Sequence, residues 1–358
     1  MRAMSSIEDP DYPQQLLNYR EGYFVSKVMF TACELGVFDL LHELGEPLTT
    51  ANIASRLCTS VDGTDRLLTA CVGLKLLKVE LKNDEAYYSN TDLSTTYLVK
   101  SSPKTMYPMM IFCTNTAYIC WQFLPQAIRE GKNQHERAFG VSSEDLFDAL
   151  YRSEEMLVTF MGFMDCISNI CGKYALQAFD LSMFHTVCDL GEKLFCVIGC
   201  SGSIAKQFVS SYPGSTVTVM DLPKVIQTAK RYFITDKDQH IALLEGDFFT
   251  DPIPEADLFI LSSIIHDWTE EKCHLLLKKA YQSCRPGGAV LLIEELLNED
   301  KSGPVGAQLF SLNMLVLAEG RERTPSEYTK LLTDCGFRDI QVKVTGKRFD
   351  AILGRKLQ

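Results

Sequence analysis

The sequence has few of the features that mark membrane, secreted or nucleic-acid-binding proteins. No run of eighteen apolar residues occurs, so no membrane-spanning helix is predicted. Residues 1–15 are polar and include acids, which is not typical of a signal or transit peptide. Basic residues are in deficit: 35 lysines and arginines against 46 acids give a net charge of -11. Such a chain has no general attraction for phosphate backbones or anionic lipid, so we expect no nucleic-acid or membrane partner and a neutral or cationic ligand.

Cysteine is present, but without the spacing of a disulfide framework or a zinc site. The thirteen cysteines are an odd number, and no C-x-x-C pair occurs. The closest spacings are Cys166/Cys171 and Cys196/Cys200. This usage favours free thiols in a reducing compartment, and we expect a cytoplasmic protein.

The 358 residues suffice for two domains, and they show two patterns. Residues 1–11 are predicted to be disordered, and residues 12–180 have mostly helical periodicity. From 181 to 358 short apolar runs alternate with helical patterns, which indicates β-α-β units and a Rossmann-like α/β domain. We therefore predict a mainly helical first domain followed by a doubly wound sheet.

Within the first domain, residues 48–91 have the order helix, turn, helix, hairpin that is typical of a winged helix. The predicted second helix (64–77) offers a DNA groove only Arg66 and Lys75, offset by Asp65, so DNA binding is disfavoured. The stretch 28–41 is apolar on more than one face, as expected of a helix that also packs against a partner chain. We therefore predict a homodimer formed through this domain.

The second domain contains runs that we interpret as parallel strands, each followed by polar residues. These runs are 185–191, 215–223, 240–249, 255–268 and 289–297. Two further strands, 338–346 and 348–355, are predicted to be antiparallel. In a doubly wound sheet the ligand lies beyond the carboxyl ends of the strands, so the polar residues there are expected to converge.

Two of these strand ends are candidates for binding a nucleotide. Asp221 could bind ribose hydroxyls, or could simply precede a helix that begins at Pro223. Gly246-Asp247-Phe248 could supply a carboxylate and a ring for an adenine, or could form an ordinary turn.

His266 follows a buried strand and is a candidate general base; the alternative is a capped, solvated histidine. A phenol (pKa about 10) and a histidine (about 6.5) differ by roughly 5 kcal/mol in proton affinity. The base must therefore act as the hydroxyl oxygen loses electron density, or the site must lower the pKa of the phenol. Asp267 could bind a substrate donor, and Glu294 and Glu322 could hold the imidazole tautomer as a triad carboxylate does.

The order of short motifs along the chain resembles the acetylserotonin O-methyltransferase (hydroxyindole O-methyltransferase) family, over about residues 12–355. The motifs that carry the resemblance are CELGVFDLL, AFDLS, CDLG, MDLP, EGDFF, HDW, LLIEELL, SLNMLV and EGRERT. The resemblance implies a winged-helix dimerisation domain, a class I methyltransferase domain, S-adenosylmethionine as cofactor without a metal, and methylation of the 5-hydroxyl of N-acetylserotonin to melatonin.

The resemblance also implies roles for individual residues. His266 matches the proton acceptor, and Asp267 and Asn313 match substrate-binding residues. The positions that match cofactor contacts are Tyr151, Gly191, Gly199, Gly202, Asp221, Gly246, Asp247 and Phe248.

Four positions depart from the family pattern. The glycine loop, which reads like DLGGGxG in the family, carries seven additional residues at 192–198. A tryptophan, a basic residue and a glutamine of the family are replaced by Ser168, Ser263 and Leu317. Either the insert loops out while 186–190 keeps its strand position, which we favour, or 194–198 becomes the first strand and the acid Asp189 leaves the site.

These departures support a second interpretation, a catalytically weak or inactive homologue that serves as a scaffold or interaction protein. A metal-dependent catechol-type enzyme is a third. His266, Cys273 and His274 are suggestive of it, but the carboxylate cluster that such enzymes need is not visible in the sequence.

Overall fold

Residues 13–140, 154–191 and 201–358 are described by the structure, a computed structural model. The predicted disordered segment 1–11 lies outside them. Chain contacts divide the protein into two units, with the division between Thr114 and Asn115. The large sheet begins further along, at Thr186, and the domain boundary at residue 180 stays a prediction. Among the described helices, none combines the length and apolarity needed to cross a bilayer.

The first unit is mainly helical and carries a small three-stranded sheet of order β1-β3-β2. Its elements are α1 Gln14–Glu34, α2 Val37–Leu44, β1 Leu48–Thr49, α3 Thr50–Leu57, α4 Val61–Gly73, β2 Leu77–Lys82, β3 Glu85–Asn90, α5 Asp92–Tyr97 and α6 Tyr107–Phe112.

The winged-helix elements form where local sequence signals predict them. The Thr49 hydroxyl caps α3 by accepting a hydrogen bond from the Asn52 backbone N–H, at 3.3 Å. The hairpin of β2 and β3 turns at Asn83 and Asp84, which both have positive φ angles. Helix α4 begins at Val61 rather than at 64, because the Ser60 hydroxyl caps it there.

The prediction of one helix over 28–41 is wrong. Helix α1 ends at Glu34 and α2 begins at Val37, and the break falls at Gly36, whose φ of 80° is left-handed. The apolar stretch therefore belongs to two helices with separate buried faces.

The second unit contains a seven-stranded sheet of order β6-β5-β4-β7-β8-β10-β9. Its strands are β4 Thr186–Leu190, β5 Thr216–Asp221, β6 Ile241–Glu245, β7 Ala256–Ser262, β8 Cys284–Glu294, β9 Arg338–Lys343 and β10 Asp350–Arg355. Strands β4 to β8 are parallel, and β10 runs antiparallel to β8 and β9, as predicted.

Helices cover this sheet on its flanks and precede its first strand. The described helices of the second unit are α7 Tyr118–Trp121, α8 Leu124–Glu130, α9 His135–Phe139, α10 Glu154–Leu176, α11 Ser203–Ser211, α12 Pro223–Tyr232, α13 Glu270–Ser283, α14 Val305–Leu317 and α15 Pro325–Asp334. The strand order reverses beside β4: β5 lies on one side and β7 on the other. Such a reversal opens a crevice at the carboxyl edge, where ligands of this fold class bind.

Strand β4 settles which of the two arrangements of the glycine loop is correct at its start. Residues 186–190 form the first strand, and Cys188 pairs with Thr218 on one side and Phe259 on the other. The alternative that moves 186–190 out of the core is therefore wrong. The insert 192–198 lies outside the described residues.

Candidate active site

His266 lies at the carboxyl edge, directly after β7. The strand ends at Ser262, Ser263 turns the chain with a φ of 52°, and a single 3-10 turn Ile265–Asp267 carries the histidine. Ser263 donates its backbone N–H to the Ile293 carbonyl on β8, at 2.8 Å. His266 is fully buried, so the alternative of a solvated histidine is wrong.

Two buried carboxylates hold the imidazole. His266 Nδ1 lies 2.6 Å from Glu322 Oε1 and 3.4 Å from Glu294 Oε2. Glu294 is itself fixed, because its Oε1 accepts the backbone N–H groups of Ile264 (3.2 Å) and Ile265 (2.8 Å). Since the carboxylates face Nδ1, this nitrogen carries the proton of the neutral ring, and Nε2 is left as the acceptor.

The carboxylates are strongly perturbed by burial. Burial raises the pKa of Glu294 to about 7, opposed in part by the neighbouring His266. Burial also raises the pKa of Glu322 well above its ordinary value; the nearby Glu295 adds to this effect and Arg323 opposes it. In its ionised form, a buried carboxylate at this distance attracts a positive charge on the adjacent imidazole, because the surroundings screen the interaction little.

The same trio has the composition of a possible metal site. One ligand atom from each of His266, Glu294 and Glu322 lies within 4.8 Å of the others. However, Nδ1 already meets Glu322 at ordinary hydrogen-bond distance, as in a histidine base oriented by a carboxylate. The geometry thus accounts for the cluster without a cation, and metal independence stays a prediction.

Residues 319–323, which we call the strap, pack against the turn that carries His266 and fix it by hydrogen bonds. Arg323 is buried and donates to the carbonyls of Ile265 (2.8 Å) and Trp268 (3.2 Å), on either side of the histidine. The Glu319 N–H donates to the Asp267 carbonyl at 3.1 Å.

The strap approaches the turn closely at Gly320. A Cβ atom at Gly320 would overlap the His266 carbonyl and would lie 2.6 Å from the Trp268 nitrogen. Within the GRERT motif, a role was predicted for Glu322 but not for Gly320 or Arg323. The motif was the available signal, but nothing local distinguishes its buried arginine from an exposed one.

Helix α14 forms a second wall. The Phe310 ring lies 5.6 Å from the His266 ring, centroid to centroid, and Ser311 accepts the Glu322 N–H at 3.3 Å. Asn313, one turn further along, accepts a hydrogen bond at its Oδ1 from Trp121 Nε1, at 2.8 Å. Trp121 is a site residue that our sequence analysis missed.

Two of the positions that depart from the family pattern are buried packing positions. Ser168 is fully buried on α10, and its carbonyl accepts a hydrogen bond from Gln207 at 3.0 Å. Leu317 is buried at the end of α14, and its carbonyl lies 3.0 Å from His135 Nε2. Burial lowers the pKa of His135 to about 4, so this histidine is neutral.

The edge next to β4 holds the predicted cofactor residues. Asp189 is completely buried near the end of β4, and neither of its carboxylate oxygens has a hydrogen-bond partner among the described residues. Burial raises the pKa of this carboxyl to about 8. The neighbouring Gly191 donates its N–H to the Met220 carbonyl at 2.9 Å, and Gly202, with a φ of 74°, begins α11. Asp189 was considered only as the acid of the glycine loop and was not among the predicted cofactor contacts.

The other two strand ends lie at the same edge. Asp221 is buried at the end of β5 and accepts the Leu222 N–H at 2.6 Å. Gly246 donates its N–H to the Asp221 carbonyl at 2.9 Å, and a Cβ here would lie 2.7 Å from the Met220 methyl carbon.

Asp247 accepts the Phe249 N–H at 2.8 Å, so it also closes a turn. Phe248 is buried beside it, 4.7 Å from the Phe249 ring. Tyr151 and Gly199 lie outside the described residues.

These residues suit a nucleoside cofactor. Asp189 has no hydrogen-bond partner among the described residues, and burial of an unsatisfied polar group is costly, so a ligand that offers a donor fits here. Glycines at a strand end and at the start of a helix allow close approach of backbone to a ligand. The edge around Asp189 and Asp221 thus fits a nucleoside with hydroxyl donors, and the His266 centre beside it fits proton removal.

The chain is similar to known proteins in family, sequence and structure. A family model described as an O-methyltransferase domain matches residues 121–338, and one described as an O-methyltransferase dimerisation domain matches 17–100. The chain is 56% identical over 353 residues to acetylserotonin O-methyltransferase of Gallus gallus, covering 99% of this chain and 100% of the relative.

The corresponding protein of Homo sapiens is 49% identical over 354 residues, again covering 99% of this chain and 100% of the relative. The crystal structure of human N-acetylserotonin methyltransferase in complex with SAM is similar with a TM-score of 0.93 and 48% identity. That alignment covers 99% of this chain and 100% of the crystallised chain.

Proposed function

Because this chain belongs to the acetylserotonin O-methyltransferase family of S-adenosylmethionine-dependent enzymes, we propose that it methylates the 5-hydroxyl of N-acetylserotonin, giving melatonin. The chain is an O-methyltransferase, and S-adenosylmethionine is its cofactor. The observation that carries the finer proposal is the 2.6 Å contact between His266 Nδ1 and Glu322, which leaves Nε2 as the acceptor for a hydroxyl proton.

We propose that the cofactor is held at the edge next to β4. Asp189 and Asp221 offer carboxylates to its donor groups, and Gly191 and Gly202 allow the backbone to approach it. When bound, S-adenosylmethionine supplies an electrophilic methyl group.

The proposed chemistry of the protein itself is proton removal. His266 takes the hydroxyl proton at Nε2, and Glu322 and Glu294 stabilise the imidazolium that results. Asp267, whose carboxylate Oδ1 lies 3.7 Å from Nε2, is placed to bind the substrate on that side.

A radiolabelled methyl-transfer assay on N-acetylserotonin, with serotonin and caffeate as comparisons, tests the proposal. We expect transfer from the labelled cofactor to N-acetylserotonin above both comparisons. Equal labelling of caffeate would contradict the hydroxyindole assignment.

The insert at 192–198 favours a second candidate function, a weak or inactive homologue that acts as a scaffold. Titration with S-adenosylhomocysteine separates the two functions, because a scaffold with a damaged site gives neither heat of binding nor a thermal shift. Deleting 192–198 should raise activity if the insert impairs the loop. No gain would direct attention to Ser168, Ser263 and Leu317.

We also propose that the protein is a homodimer formed through its first unit, where the dimerisation-domain model matches. Helix α1 exposes Leu16, Tyr19 and Tyr23, each more than half exposed. Large apolar side chains grouped in this way suit a partner surface. Light scattering of the purified chain should give twice the monomer mass. Cellular location stays a prediction: the number of thiols favours a reducing compartment such as the cytoplasm.

A further inference from the structure

Asn313 and Trp121 form a hydrogen bond in which the donor and the acceptor can be assigned without ambiguity. The indole N–H of Trp121 can only donate, so the atom of Asn313 that faces it, at 2.8 Å, must be the carbonyl oxygen Oδ1. The amide group of Asn313 is thereby left with its two N–H donors, and Nδ2 makes no hydrogen bond to the described residues. The bond fixes which end of the carboxamide is offered to a ligand.

The position of Asn313 connects this pair with the base. Asn313 follows Phe310 by three residues on α14, so the two side chains lie on the same face of the helix. Phe310 packs against the His266 ring, at 5.6 Å between centroids. Asn313 is partly exposed, as a residue that meets a substrate must be.

We propose that Trp121 is a positioning residue that sets substrate specificity, by holding Asn313 with its N–H donors toward the substrate. The group recognised there is then a hydrogen-bond acceptor, such as the carbonyl oxygen of an N-acyl side chain. A free ammonium group, which has only donors, meets two further donors and is rejected. The inference rests on the proposed function, since it assumes a hydroxyindole whose hydroxyl lies at His266.

Trp121→Phe tests the role of the indole N–H, because it retains an aromatic ring and removes the donor. We expect KM for N-acetylserotonin to rise about tenfold with kcat unchanged, since a lost hydrogen bond to a polar group has about this effect. With 5-hydroxyindole, which has no acyl side chain for Asn313 to recognise, the rise of KM should be much smaller. An equal rise of KM for both substrates would show a merely structural role and would overturn the inference.

Asn313→Asp tests the direction of the amide, because it replaces the donor group that faces the substrate with an acceptor. The Trp121 N–H still has a carboxylate oxygen to meet, while the second oxygen becomes an anionic acceptor directed at the substrate. The preference for N-acetylserotonin over serotonin should fall by a factor of ten or more. An unchanged preference would contradict the proposed direction of the amide.

Binding measurements separate this inference from the proposed function. N-acetylserotonin is titrated calorimetrically into the full-length protein saturated with S-adenosylhomocysteine, for the wild type and Trp121→Phe. If the wild type binds the ligand about tenfold more tightly but transfers no methyl group, the proposed function fails and the inference holds. If both bind equally, or neither binds, the inference is overturned, whatever the turnover.

Discussion

Two buried carboxylates of the second unit, Glu294 and Asp189, have opposite surroundings. Glu294 accepts two backbone N–H groups at Oε1, and its Oε2 lies 3.4 Å from His266 Nδ1. Asp189 lies on β4, which β7 separates from β8 in the sheet, and it has no hydrogen-bond partner among the described residues. Within the described residues, contacts of the protein thus orient the imidazole of His266, whereas the carboxyl group of Asp189 is held by burial alone.

The two regions therefore differ in how their buried polar groups affect the stability of the ligand-free protein. The hydrogen bonds of Glu294 Oε1 and of Arg323 to the backbone add rigidity to the turn that carries His266. At the β4 edge, the ionised form of Asp189 is costly among the described residues, and a ligand that donates a hydrogen bond to it would lower this cost. Four predictions follow from the contrast between these two regions.

The largest effect is expected for His266→Ala. Loss of a general base should lower kcat by about 10²–10⁴-fold, while affinity for S-adenosylhomocysteine stays unchanged because the cofactor edge is separate. His274→Ala, on α13, is the matched control and should retain activity. An equal loss of cofactor affinity in the His266 variant would contradict the separation of the two regions.

Arg323→Met should have the next largest effect, because it removes the donors from the carbonyls of Ile265 and Trp268. We expect kcat/KM to fall on the order of 100-fold and the free energy of unfolding to fall by about 2–3 kcal/mol. The pH profile of kcat should also move, since Arg323 opposes the raised pKa of Glu322. Removing this cation raises the pKa of Glu322 further, so the inflection of the kcat–pH profile that reports Glu322 should shift to higher pH. A loss of stability without a shifted profile would make the arginine a packing residue only.

Asp189→Asn should act in opposite directions on binding and stability. Affinity for S-adenosylhomocysteine should fall by about 10–100-fold, because a charge-assisted hydrogen bond is lost. The ligand-free protein should gain about 1–3 kcal/mol, because an unsatisfied buried carboxylate is removed. Calorimetry and thermal unfolding measure the two effects. Asp221→Asn, whose carboxylate already accepts the Leu222 N–H, should weaken binding without this gain.

The smallest effect concerns pH. The pKa of Asp189 is raised to about 8, so between pH 4 and 8 the folded state holds a proton that the unfolded chain has released. The contribution of Asp189 to the free energy of unfolding therefore declines as pH rises through this range, and is constant above it. The wild type should lose more Tm than Asp189→Asn between pH 5 and 8. Parallel curves for the two proteins would show that Asp189 is solvated or paired.

Much of the second unit could be predicted because its signals are local. Each parallel strand is a short apolar run that ends in polar residues, and the rule that ligands bind at carboxyl ends brings His266 and Asp221 to one edge. Glu294 and Glu322 could be proposed as candidates, since each belongs to a recognisable motif. Their distances from the imidazole could not be predicted.

The elements that sequence reasoning missed depend on long-range contacts. Helix α14 is apolar on nearly all sides, so its periodicity is weak, and it was not assigned as a helix. Trp121 and Asn313 are 192 residues apart, and nothing in either neighbourhood indicates the bond. The break at Gly36 was missed because apolar residues continue on both sides of it.

The strap also sets an order of events during synthesis. Glu322 follows His266 by 56 residues, so at 5–20 residues per second the ribosome completes it on the order of 3–11 s later. Strands β4 to β7 have all been made by then, so the growing chain acquires the residues of the cofactor edge before the imidazole gains this carboxylate. A nascent polypeptide that stops short of the strap therefore carries a histidine without its partner.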